Sequence, residues 1–208
     1  MHAGYSFLAR LSAAALILGA AHLAHAQTPP LSPPKASEPA PAPAQPAGRQ
    51  KILDELFDRL SKAQDQDEAR GLSGAIERIW SRSGSDTADL LMERVSTLFQ
   101  QKDFKVARDM LDRLIEIEPQ WSEPWSRRAT TRFLERDYTS AMEDLAHVLH
   151  LEPRHFMALV GVGAILEREE NKAQALRVFR RALEINPQLN DIREKVEKLI
   201  IEVEGREI

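Results

Sequence analysis

His147 and His150 stand three residues apart in a stretch of helical periodicity, the spacing at which two imidazoles can share a metal ion. No third ligand with motif spacing accompanies them. Solvated surface histidines are therefore the plain reading, and a metal-binding or enzymatic protein built on His147/His150 is the remote alternative. Gly161-Val162-Gly163 has the spacing of a phosphate loop but lies inside an apolar helical stretch rather than after a strand, so it fails the context a dinucleotide site needs. No serine sits in a nucleophile-elbow sequence. The chain has no cysteine, which removes a disulfide framework, a thiolate metal site and a thiol nucleophile. The residues thus point to no catalytic group, no cofactor and no metal, and to a protein that is not an enzyme. Arg127, Arg128 and Arg132 form the remaining cluster. Either their stems lie along a helical hairpin with the guanidinium groups in water, or they make a basic strip for an anionic partner group.

Composition narrows the partner. Among 208 residues, 28 Lys and Arg face 32 Asp and Glu, a net charge of −4. Nucleic-acid binders carry a clear basic excess, so no nucleic-acid partner is expected. Hydrophobic residues make up 43%, enough for a sizeable soluble core.

The elements that must position these residues follow a period of 34. Pro119, Pro153 and Pro187 recur at that spacing, as do Ala107, Ala141 and Ala175, then Asp103, Asp137 and Asn171, then Leu111, Leu145 and Phe179. Val95, Ala129 and Gly163 repeat a small side chain. Asp and Asn are favoured N-caps and mark the start of the second helix of each unit. The small residues let two helices approach closely, and the proline ends each unit. One such hairpin cannot bury its apolar face alone; three stacked hairpins bury a continuous core.

This frame resembles the tetratricopeptide repeat, whose 34-residue pattern carries Ala-x₃-Phe and a late Pro. Units at 88–121, 122–155 and 156–189 fit it, the third most cleanly through Ala175, Phe179, Ala182 and Pro187. Arg94, Arg128 and Arg132 depart from it, standing where the pattern has apolar or aromatic residues. The resemblance implies an all-α helical-hairpin solenoid whose first helices line a concave groove for a peptide or helix of a protein partner. The groove residues it implies are Met92, Ser96, Phe99, Ser126, Arg127, Thr130, Phe133, Met157, Val160 and Ala164, with acids at the rim. The carboxylate clamp of the chaperone-binding members is not carried over, because Met92, Ser96, Met157 and Gly161 occupy four of its five positions.

The flanks complete the organisation. Residues 49–87 predict an N-terminal helical hairpin, out of register with the repeat, which either leaves the groove open or folds back into it. Residues 190–208 predict a capping helix with one apolar stripe, Ile192, Val196, Leu199, Ile200 and Val203, stopped by Gly205. Residues 1–26 read as a secretory signal with an apolar run from Leu11 to Ala24 and cleavage after Ala26, giving export to the periplasm and no integral span in the mature chain. Retention of that segment as an anchor is the alternative. Residues 27–48, rich in Ala and Pro, read as an extended linker. A self-associating structural subunit of an envelope complex is the alternative to a peptide-binding adaptor.

Overall fold

Asp65, Ser85, Asp103, Asp137 and His155 each turn a side-chain acceptor onto a backbone amide at the start of a helix. These caps punctuate residues 47–205, the part described by the computed structural model, into nine helices. They are α1 (Ala47–Ser61), α2 (Gln66–Trp80), α3 (Asp86–Gln100), α4 (Phe104–Ile117), α5 (Ser122–Leu134), α6 (Tyr138–Leu151), α7 (Phe156–Arg168), α8 (Lys172–Ile185) and α9 (Asn190–Val203). The fold is all-α, and among the described residues no helix is long and apolar enough to cross a membrane. The signal segment and most of the 27–48 linker lie outside the described residues. The last residues of that linker do not: α1 already begins at Ala47.

The 34-residue period appears in the backbone as well as in the core. Lys102, Arg136 and Glu170 adopt left-handed φ values of 59°, 66° and 59°. Each closes the first helix of a hairpin, and the next amide reaches back to Leu98, Arg132 or Leu166 at 2.9–3.0 Å. This is the 6→1 bond of a left-handed helix C-cap. α3 packs on α4, α5 on α6 and α7 on α8, and each pair stacks on the next through α4–α5 and α6–α7. Ala107, Ala141, Ala175, Leu111 and Phe179 are fully buried between them. The closest approach is at Gly163, where a Cβ would lie 2.4 Å from Cε1 of Phe179. Beyond the third repeat, α9 buries Ile192, Val196 and Leu199, and the chain leaves the helix at Gly205 with φ 85°.

The hairpin α1–α2 does not simply precede the stack. Its buried residues, among them Leu53, Phe57, Leu60, Leu72, Ile76 and Trp80, form one core with Phe156 of α7, and half-buried Ile185 and Leu189 close it. Polar ties reinforce this docking. Arg154 reaches Asp54 at 2.6 Å, Asn186 donates to Ser73 at 3.2 Å, and Gln188 donates to the Ala63 carbonyl at 3.0 Å. The Trp121 indole donates to the Trp80 carbonyl at 2.7 Å. Of the two dispositions left open by the sequence, the hairpin folds back.

Candidate functional site

The folded-back hairpin converts the concave wall into a cleft. One side is α2 and its end, through Gly74, Glu77, Arg78, Trp80 and Ser81; the other is Phe99 of α3, Glu123, Ser126, Arg127 and Thr130 of α5, and His155 and Met157 at the start of α7. The space between them is about 1100 Å³, open to solvent. A second depression of about 650 Å³ lies between Gln66, Met157, Val160 and the start of α9. Met157, 47% exposed, lines both.

Charge in the cleft is concentrated on α2 and α5. Arg127 donates to the Glu123 carboxylate at 2.6 Å and to the Ser96 hydroxyl at 3.1 Å, and its guanidinium lies 5.9 Å from the Phe99 ring. Glu77 faces this group from α2. Burial raises its carboxyl above the ordinary value, Glu123 raises it further, and Arg127 opposes. At the inner end, Trp80 stacks on His155 with ring centroids 4.3 Å apart and planes within 8°. His155 is buried, accepts the Ala158 amide at Nδ1, and is pushed down to about 4 by desolvation.

Five groove residues expected from the sequence line the main cleft: Phe99, Ser126, Arg127, Thr130 and Met157. Val160 lines the second depression. Ser96 donates to the Met92 carbonyl and reaches the cleft only through Arg127. Met92 is 4% exposed and belongs to the core of the first repeat. Phe133 packs edge-on against Tyr138 at 5.4 Å, and Ala164 is half-buried. Sequence reasoning missed Glu77 and His155. Their contribution depends on the hairpin's path, and a histidine before a helix is a weak cap signal beside Asp or Ser.

The arginine cluster differs from both sequence expectations. Arg128 turns inward, donates two bonds to Asp144 at 3.0 and 2.7 Å and one to Asp112 at 2.7 Å, and covers the Trp125 ring at 4.9 Å. Arg132 joins the same Asp144 at 2.9 Å, and that carboxylate is 1% exposed. A buried carboxylate demands cationic partners, so these two guanidinium groups are neither solvated stems nor free for an anionic ligand. His147 lies over Trp125 at 4.2 Å, and it and His150 are exposed. Among the described residues no group of three or more His, Asp or Glu side chains is poised to hold a metal ion.

Relatives agree with this architecture. The tetratricopeptide repeat profile matches residues 158–189, the third hairpin. A tetratricopeptide repeat-containing protein of Rhizobium etli is 38% identical over 153 residues, covering 74% of this chain and 75% of that protein. The chain belongs to the tetratricopeptide repeat family. Solved structures share the repeat fold at low identity. The first such domain of Spaghetti, bound to an HSP90 peptide, has 20% identity and a TM-score of 0.53, covering 56% of this chain and 93% of that one. The Yersinia enterocolitica type III secretion chaperone SycD, in complex with a peptide of the translocator YopD, has 15% identity and a TM-score of 0.52, covering 58% and 94%. A MamA double mutant covers 75% of this chain and 85% of its own at 14% identity and a TM-score of 0.52. Within this tetratricopeptide repeat protein, Arg128 and Arg132 depart from the family pattern at positions the Asp144 carboxylate accounts for.

Proposed function

We propose that the protein is a non-catalytic binding scaffold that holds a peptide or helix of a protein partner in the cleft between α2 and the wall of α3, α5 and α7. The observation that carries this is the cleft itself: an apolar floor of Phe99 and Met157 beside Glu77, Glu123 and Arg127. An apolar floor with a few placed polar groups suits apolar anchors on a polypeptide segment. The peptides held by the Spaghetti domain and by SycD support a polypeptide ligand for this fold. The leader-like residues 1–26 support export, with the periplasm as the working compartment.

The test is capture of partners from envelope extract by the full chain and by a Phe99→Ala/Met157→Ala version of equal helicity. A partner retained by the first and lost by the second is the expected result; equal retention by both overturns the cleft reading. For compartment, cell fractionation with N-terminal sequencing should find a periplasmic chain starting at Gln27, and an intact chain in the cytosol contradicts export.

A further inference from the structure

We propose that the rear edge of the first repeat, centred on α4, is a self-complementary interface at which two copies of this chain pair antiparallel about a two-fold axis. This inference stands on a surface separate from the cleft.

α4 is committed on two sides. Ala107, Leu111 and Leu114 are buried beneath it, and Arg108 and Asp112 pair forward with Glu135 and Arg128. On the opposite side of the helix, at i, i+4, i+7 and i+11, stand Val106, Met110, Arg113 and Ile117. Val106 is 44% exposed, Ile117 58%, and Leu90 on the rear of α3 65%. In a solenoid the preceding hairpin covers such an edge. Here α1–α2 has joined the third repeat, and the buried core of the first repeat contains no residue from it. The far end carries its own cap, α9, which buries Ile192, Val196 and Leu199 and turns Glu194, Glu197 and Lys198 to solvent beside exposed Ile201.

The charges on α4 select the occupant. The side chains of Lys105, Asp109, Arg113 and Glu116 are exposed and make no hydrogen bond or ion pair among the described residues. Their signs run plus, minus, plus, minus along the helix. An antiparallel copy with its axis near residue 111 sets Lys105 against Glu116 of the second copy and Asp109 against its Arg113. The same register sets Val106 against Ile117 of the second copy. Every contact then occurs twice, as an isologous interface requires. A parallel arrangement in the same register would place like charge on like charge.

Sedimentation of the full chain across a dilution series tests this, with circular dichroism confirming helicity. The wild type should show a reversible dimer, and Val106→Asp/Ile117→Asp should be monomeric. Arg113→Asp faces Asp109 with a second acid at two symmetric places and should raise the dimer Kd roughly tenfold. The swap Asp109→Arg/Arg113→Asp restores the complement and should recover wild-type affinity. A wild type that stays monomeric overturns the proposal. So does a dimer indifferent to Arg113→Asp, a swap that fails to rescue, or a ladder of higher oligomers, which signals head-to-tail contacts instead.

Discussion

In the second repeat the layer between α5 and α6 is ionic, with Arg128 and Arg132 closing on Asp144. In the third, the positions one period on, Val162, Leu166 and Val178, are all apolar, and the closest approach of α7 and α8 is Phe179 on Gly163. The backbones follow the same plan: left-handed turns at Arg136 and Glu170, proline after the second helix, and small residues at Ala129 and Gly163. A hairpin of this kind therefore tolerates a charged layer provided the charges find one another. The matched tetratricopeptide profile falls on the third repeat, whose apolar columns are intact.

That contrast is easiest to break at Arg128. Arg128→Met leaves Asp144 with Arg132 as its remaining cation and should cost about 3 kcal/mol, since an incompletely paired buried carboxylate is expensive. Arg128→Leu/Arg132→Leu/Asp144→Leu, which removes all three charges, should be near neutral. Denaturant midpoints check both, and equal losses in the two variants would show that packing rather than charge holds the second repeat.

The seam between the hairpin and the third repeat answers to pH. His155 titrates at about 4 when folded, against 6.5 for the ordinary side chain. Below pH 6.5 the unfolded imidazole takes up a proton that the folded one refuses, so stability falls as pH drops. The slope approaches roughly 1.4 kcal/mol per pH unit and levels off below about pH 4. His155→Asn keeps an acceptor for the Ala158 amide and should flatten this dependence between pH 6.5 and 4; thermal unfolding across that range measures it.

A smaller effect sharpens the third repeat. Gly163→Ala places a methyl group inside the Phe179 ring's contact distance and should cost about 2 kcal/mol. Phe179→Leu in the same chain should recover part of that loss. The smallest effect tests the shared backbone. Lys102→Gly, Arg136→Gly and Glu170→Gly relieve left-handed strain and should each stabilise by about 0.5–1 kcal/mol, read as matched rises in Tm.

The sequence made the columns legible because each is local. Ala107, Ala141 and Ala175 repeat a packing need, and Asp103 and Asp137 repeat a capping bond, all within one hairpin. The left-handed turns were not legible, since lysine, arginine and glutamate there give no glycine signal. Nor was the Arg128–Asp144 layer: periodicity registers apolar columns, and this substitution needs two positions 16 residues apart to change together. The path of α1–α2 was hidden for a stronger reason. It depends on Trp80 meeting His155 and Phe156, and on Ser73 meeting Asn186, contacts with no local period to announce them. Hence the expected groove residues part company: Phe99, Ser126, Arg127, Thr130 and Met157 line the cleft, while Met92 is interior.

The folded-back hairpin both makes the cleft and bares the edge of the first repeat. The absence of native cysteine makes the decisive measurement clean. A Ser73→Cys/Asn186→Cys chain, treated with a short bifunctional thiol crosslinker in dilute solution, should link within a single molecule, since the native side chains meet at 3.2 Å. A crosslinked loop seen by peptide mapping at native helicity is the predicted result. Two thiols that remain unlinked at native helicity would place the hairpin elsewhere and contradict the cleft.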